Sequence, residues 1–136
     1  MSYAMSNALQ AAIFAQLTAD AALTALVGTA IFDALPPGEV PGLYVALGPE
    51  KVRDASDADG QGAVHEVTIS VVTDQSGFAV AKSAAAAVSD ALAANPLTLA
   101  RGRVLSLRFH KAAAARVGTG GTRRIDLIFR ARLSDD

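Results

Sequence analysis

The sequence RIDLIFRARL, residues 124–133, decides the fold. Apolar and polar side chains alternate along it, and only Ile128 breaks the pattern. The apolar set comprises Ile125, Leu127, Phe129, Ala131 and Leu133, and the polar set comprises Arg124, Asp126, Arg130 and Arg132. Successive side chains of a strand point to opposite sides. The stretch therefore predicts a strand with one face in the core and the other in solvent or against a partner.

Two upstream segments show the same alternation. Val67, Ile69 and Val71 alternate with Glu66, Thr68 and Ser70, and Leu105, Leu107 and Phe109 alternate with Ser106, Arg108 and His110. We predict that these segments and strand 124–133 form one sheet. Five charged residues of its polar face form a candidate subunit interface or charged lumen wall: Glu66, Arg108, Asp126, Arg130 and Arg132. The alternative is an ordinary solvated face, which antiparallel sheets often have.

Two helices are predicted in the first 28 residues. Apolar residues recur every fourth position from Leu9 to Leu17, and Ser6 is a candidate N-cap for this helix. Asp20 is a candidate cap for a second helix, which Gly28 is placed to end. The start of the chain lacks the basic n-region and the continuous apolar run of a signal peptide, so none is expected. Asp20, Gly28 and Asp33 interrupt the apolar residues, so no membrane span is expected either.

The middle of the chain adds a helix and two short extended segments. Residues 78–94 are rich in alanine and predict a helix that ends at Asn95-Pro96, because the residue before proline disfavours the helical region. Residues 30–34 form a possible edge strand, and residues 43–47 form a strand that Gly48-Pro49 is expected to stop. This order of elements predicts an α+β fold in a single domain, with an antiparallel or mixed sheet covered by helices on one face.

Residues 50–63 have the sequence EKVRDASDADGQGA. Their polar, acidic and glycine-containing composition predicts a long mobile loop. Asp57, Asp59, Gly60 and Glu66 fall at four positions of a calcium-binding loop pattern. However, Ala55 stands where the first carboxylate ligand belongs, and a strand rather than a helix follows, so no metal site is expected.

The charges are divided unequally along the chain. Residues 1–100 carry three basic and ten acidic groups, a net charge of −7, whereas residues 101–136 carry nine basic and three acidic groups, a net charge of +6. Such asymmetry suits a protein whose surfaces meet other proteins or pass close to nucleic acid. Sequence-specific DNA binding is not expected, because the basic residues lie on predicted strands with few aromatic residues nearby.

The sequence offers little support for catalysis. It contains no cysteine, which excludes disulfides, thiolate metal sites and cysteine nucleophiles, and no serine in a G-x-S-x-G motif. The histidines are His65 and His110, and a structural or solvated role is expected for His65. Residues 118–122, GTGGT, precede a strand and lack the lysine of a phosphate-binding loop, so they predict a hairpin tip. We expect neither enzymatic activity nor a cofactor.

Four segments carry a family resemblance: MSYAMSNALQAAIFAQLTADAALTALVG, GLYVALGPEKVRDASD, HEVTISVVTDQSGF and ARGRVLSLRFHKAAAARVGTGGTRRIDLIFRARL. Through these segments the chain resembles, nearly end to end, the tail-completion proteins of long-tailed phages. It resembles in particular the tail terminators of gene transfer agents, which are phage-like particles that package host DNA.

The resemblance implies a structural role in a particle tail. Such proteins form a ring, typically of six subunits, at the head-proximal end of the tail tube, where the ring stops tube polymerisation. The implied partners are further copies of the chain, the tail tube protein and the head-side connector or stopper. Double-stranded DNA would pass through the lumen without sequence-specific binding, and the protein would be made in the bacterial cytoplasm, with no membrane partner. The alternatives are another head–tail joining protein, of the stopper or neck type, and a small α+β enzyme.

The polar segment 50–63 has an expected role in such an assembly. It is long enough to reach a neighbouring subunit or an axial partner and to become ordered there. The candidate assembly residues are Glu50, Lys51, Arg53, Asp54, Asp57 and Asp59.

Overall fold

The computed structural model describes residues 3–56, 62–118 and 120–135. Within these ranges the elements are α1 (Ser6–Thr18), α2 (Ala21–Val27), β1 (Ile31–Phe32), β2 (Leu43–Asp54), β3 (Gly62–Thr73), α3 (Ala79–Ala94), β4 (Arg103–Arg116) and β5 (Arg123–Ser134). The strands form one sheet in the order β1-β2-β3-β5-β4. β1 is parallel to β2 and the other neighbours are antiparallel. The predicted α+β fold with a mixed sheet is confirmed.

The core lies between the helices and one face of the sheet. The apolar set of β5, from Ile125 to Leu133, is buried as its alternation predicts, and it lies beside the buried apolar residues of β3. α3 contributes mainly small side chains between Ala81 and Leu92, which let the helix lie close to the sheet. Each large apolar side chain buried here contributes about 1.5–3 kcal/mol, so this layer fixes which face of the sheet remains open.

Helices α1 and α2 lie in the predicted segments, but only one of the two predicted N-caps is present. The Asp20 side chain accepts a hydrogen bond of 2.9 Å from the Leu23 amide, and Gly28 ends α2 with a φ of 61°. The prediction that Ser6 caps α1 is wrong, because the N-cap position is Met5 and has no side-chain hydrogen bond. No single helix in the described ranges is long and apolar enough to span a membrane; α1 and α2 together pass on length and composition but are bent by 78°.

Strand β2 is longer than predicted, and its extent contradicts two predictions. It continues through Gly48-Pro49 to Asp54, and its register against β3 shifts between Leu47 and Glu50. A bulge accommodates proline because no ladder hydrogen bond is required there. The prediction of a loop over residues 50–63 is therefore wrong for residues 50–54 and 62–63, which belong to β2 and β3. Asp57 and Asp59 lie outside the described residues.

Strand β4 forms one edge of the sheet and is longer and more exposed than its sequence pattern suggests. It runs to Arg116, with register shifts between Val104 and Ser106 and between Phe109 and Lys111. Leu105 and Phe109 are 46% and 49% exposed, whereas the alternating apolar residues of β5 are buried. An edge strand lies at the margin of the helix layer, and the shift next to Leu105 disrupts its alternation.

Candidate assembly interface

The face of the sheet turned away from the helices, called the open face below, carries charged side chains in rows across the strands. The central row runs from Lys51 on β2 to Glu66 on β3, Arg130 on β5 and Arg108 on β4, each directly opposite the next. Arg130 Nε lies 3.3 Å from Glu66 Oε2, and their side chains are 46% and 26% exposed. Such an exposed pair contributes about 0–1 kcal/mol to the stability of the fold. The charged side chains of this row can therefore contact a partner at little cost to that stability.

Positive charge dominates this part of the open face. In the next row Arg53 is opposite Val64, Val64 is opposite Arg132, and Arg132 is opposite Ser106. An open cleft of about 380 Å³ lies among side chains that include Lys51, Arg53, Glu66 and Arg130. The cleft has a basic rim around one carboxylate, which suits an acidic group of a partner.

A smaller polar network occupies the other end of the open face. Ser70 Oγ donates a hydrogen bond of 2.6 Å to Asp126 Oδ1, and Arg124 Nε donates one of 2.7 Å to the same oxygen. Arg124 Nη2 also lies 3.2 Å from Ser70 Oγ. Asp126 is therefore held by its own neighbours on β3 and β5, and the basic end of the face is the part with more charge available to a partner.

The structure brings together most of the side chains singled out from the sequence. Glu66, Arg108, Asp126, Arg130 and Arg132 all occupy open-face positions of the sheet, as predicted. Two residues assigned to the predicted loop, Lys51 and Arg53, join them through β2. Asp54 is exposed at the end of β2, beside Ser56, whose hydroxyl and amide donate hydrogen bonds to its side chain.

Glu50 behaves differently from the other predicted assembly residues. Its Oε1 accepts hydrogen bonds of 2.8 Å from the Tyr3 hydroxyl and 2.5 Å from Ser6 Oγ, and its Oε2 lies 3.1 Å from His65 Nδ1. Burial raises the pKa of Glu50, but the hydrogen bonds from Ser6, His65 and Tyr3 outweigh it and hold the pKa below its ordinary value of 4.5. Glu50 thus ties the chain before α1 to the sheet.

The His65 side chain is fully buried and structural, one of the two roles expected for it. Its Nδ1 faces Glu50, and its Nε2 has no hydrogen-bond partner among the described residues. The sequence contained a signal for this position, because His65 falls on the same alternate positions as Val67 and Ile69. A ring with no exposed surface cannot reach a substrate, so this histidine is unsuited to general base catalysis.

No group of three or more potential metal-binding side chains is present in the described ranges. The carboxylate of Glu66, one position of the calcium-loop pattern, is instead paired with Arg130.

Among solved structures, the chain is similar to a component of a phage-like particle. A chain in the structure described as the virion of a native gene transfer agent (GTA) particle is 61% identical and superposes with a TM-score of 0.93. The match covers 98% of this chain and 99% of that chain. Among curated protein sequences none matches. Residues 11–134 match the family described as Tail completion protein gp17, and the chain therefore belongs to that family.

Proposed function

We propose that this protein is the tail terminator of a phage-like particle, either a gene transfer agent or a long-tailed phage. It forms a ring of six subunits on the head-proximal end of the tail tube, stops further polymerisation of the tube and joins the tube to the head-side connector. The observation that carries the proposal is the 61% identity, over 98% of the chain, to a component of a gene transfer agent virion.

The surface of the subunit suits an assembly role. The open face presents basic side chains that include Lys51, Arg53, Arg108, Lys111, Arg130 and Arg132, and its central row also carries Glu66. In a ring built head to tail, unlike patches of neighbouring subunits meet. The same basic surface can contact an acidic part of the tube protein or of the connector. Because His65 is buried within a structural network, we assign the protein a non-enzymatic role.

The proposed ring would contact DNA without recognising its sequence. Double-stranded DNA passing through the lumen would meet basic side chains that act on phosphates without reading bases. The whole chain has a net charge of −1, so free subunits are expected to bind DNA weakly and with a strong dependence on salt.

Deletion of the gene tests this function. Particles from the deletion strain are imaged by electron microscopy and their tail lengths measured, with a complemented strain as the control. A terminator is expected to leave overlong tails without heads, because polymerisation is no longer stopped. Tails of normal length without heads would indicate a stopper or neck protein instead. Normal particles would contradict a role in tail completion.

A further inference from the structure

Most of the large apolar side chains that are exposed in the described ranges lie near β4 or in the segment between β1 and β2. Leu105, Phe109 and Val117, on or directly after β4, are 46%, 49% and 43% exposed. In the segment that connects β1, the opposite edge strand, to β2, Leu35 and Val40 are 50% and 42% exposed, and Val40 lies near the ends of β2 and β3, where it lines a pocket with Thr73 and Thr122. Five of the seven large apolar side chains exposed in the described ranges thus lie on or directly after β4 or in the segment between β1 and β2. Apolar surface of this kind is typical of protein interfaces.

The β4 edge combines an apolar groove with positive charge. A groove of about 170 Å³ lies between α3 and β4 and is lined by side chains that include Leu92, Leu107, Phe109 and Phe129. The ring of Phe109 packs edge-on against Phe129, with centroids 5.8 Å apart, and remains half exposed. β4 carries four basic residues and no acidic one: Arg103, Arg108, Lys111 and Arg116. Its exposed run of small side chains, Ala112–Ala115, leaves room for close approach.

The segment between β1 and β2 has the complementary character. Residues 33–42, DALPPGEVPG, carry two acidic groups, Asp33 and Glu39, and no basic one. Nearly all of them are exposed, although Asp33 accepts a hydrogen bond from Gln10. Three of the ten residues are prolines, which lack the amide needed to extend a strand ladder. The segment can therefore offer apolar and acidic side chains to a groove, but it cannot add a regular strand.

We propose that segment 33–42 of one copy docks on the β4 edge of a second copy, with Leu35 and Val40 against the groove of Phe109 and the acidic groups against the β4 cations. The inference rests on the proposed ring and specifies its contact. The two patches differ in their residues and charge, so the contact is heterologous, the type that can close into rings. Opposite charges at its margin orient the approach of the subunits.

Engineered cysteines test the contact in assembled particles. The chain contains no cysteine, so a Leu35→Cys, Phe109→Cys double variant introduces the sole thiols of the protein. We expect mild oxidation to produce a ladder of disulfide-linked oligomers. The matched control is Leu26→Cys with Phe109→Cys, because Leu26 is 41% exposed on α2, outside both segment 33–42 and β4. The inference is overturned if only the control variant gives a ladder. It is also overturned if neither variant gives one in particles that contain the protein.

A mixing experiment distinguishes a heterologous from a self-complementary contact. Phe109→Glu damages one patch and Leu35→Glu the other, so each variant alone is expected to lose rings. An equal mixture should form a one-to-one dimer through the two intact patches and no ring, as measured by analytical ultracentrifugation. Circular dichroism checks folding, and Leu105→Glu replaces Phe109→Glu if the latter fails to fold.

The outcomes separate the inference from the proposed function. If the parent protein forms rings and both glutamate variants still do, the inference is wrong while the terminator function stands. Rings that persist in Phe109→Glu but no longer cap tails would assign the groove to another tail component, which also overturns the inference. If gene deletion leaves tail length unchanged, the proposed function fails independently.

Discussion

His65 Nδ1 lies 3.1 Å from Glu50 Oε2, and this contact depends on the bulge in β2. Leu47 pairs with Ile69, but the next register pair is Glu50 with Val67, so β2 uses one residue more than β3 over this interval. Because side chains alternate along a strand, one extra residue exchanges the two faces. The exchange turns Glu50 towards His65 and places Lys51 and Arg53 on the open face.

The Glu50 network predicts a dependence of stability on pH. The pKa of Glu50 is lower in the folded protein than its ordinary value of 4.5. Its contribution to the free energy of unfolding is therefore complete above the unfolded pKa and is lost as the pH falls through the folded pKa. Below about pH 5, the free energy of unfolding should fall less steeply with decreasing pH in Glu50→Gln than in the parent. Urea unfolding across the acid range measures this slope. Glu39→Gln, in an exposed position, is the control and should keep the parent's steepness. Equal slopes for the parent and Glu50→Gln would contradict this prediction.

The sequence predicted the sheet well where alternation was uninterrupted. Strand β5 and the apolar face of β3 agree with their patterns, because burying one face against helices enforces a period of two. Asp20 and Gly28 also marked the ends of α2, since their roles depend on local backbone geometry. The candidate open-face residues followed directly from the same alternation.

The failures occurred where tertiary pairing decides between local alternatives. Gly48-Pro49 is compatible with a turn or with a bulge, and only the partner strand β3 selects the bulge. The composition of residues 50–54 is polar enough for a loop, yet their backbone pairs with β3. Ser6 resembles a helix cap in the sequence, but in the fold its hydroxyl donates to Glu50. None of these partners could be identified from local sequence.

Two glycines provide a matched test of crowding in the fold. Gly102 and Gly118 have φ values of 74° and 67°, which disfavour any other residue. A Cβ on Gly102 would lie 2.5 Å from Met5 Sδ and 2.6 Å from the Ser134 carbonyl oxygen, whereas a Cβ on Gly118 would meet no atom of the described residues within 4 Å. We expect Gly118→Ala to cost about 1 kcal/mol of unfolding free energy and Gly102→Ala about 1–3 kcal/mol more. Similar costs for both variants in chemical denaturation would contradict the crowding at Gly102.

Calcium should leave the thermal stability of the protein unchanged. Ala55 replaces the first ligand of the loop pattern, and Glu66 is 3.3 Å from the Arg130 guanidinium. A ligand stabilises a protein only when it binds the folded state more tightly than the unfolded state. Melting curves with calcium and with a chelator are expected to coincide. A calcium-dependent rise in melting temperature that magnesium does not reproduce would show that a site exists.

Arg130 and Arg132 on the open face are expected to be required for tail capping. Both side chains are exposed, and the Arg130–Glu66 pair contributes about 0–1 kcal/mol. Changing both arginines to glutamate is therefore expected to leave a folded protein with normal circular dichroism. If their charge contacts an acidic surface of a neighbour or of the tube, the variant should lose tail capping and produce overlong tails. Because salt screens such contacts over about 8 Å at physiological ionic strength, assembly of the parent should also weaken as salt rises.

The control for this double variant reverses exposed charge elsewhere. Arg101→Glu removes a 2.9 Å pair with Asp135, formed by residues that precede β4 and follow β5, and is expected to keep tail length normal. Ring formation identifies the partner of the arginines: loss of rings assigns them to the contact between subunits, whereas intact rings that fail to cap assign them to the tube or connector. Normal tails from Arg130→Glu, Arg132→Glu would remove this face from the interface and leave the family assignment intact. Unfolding of the variant would contradict the exposed positions of both side chains.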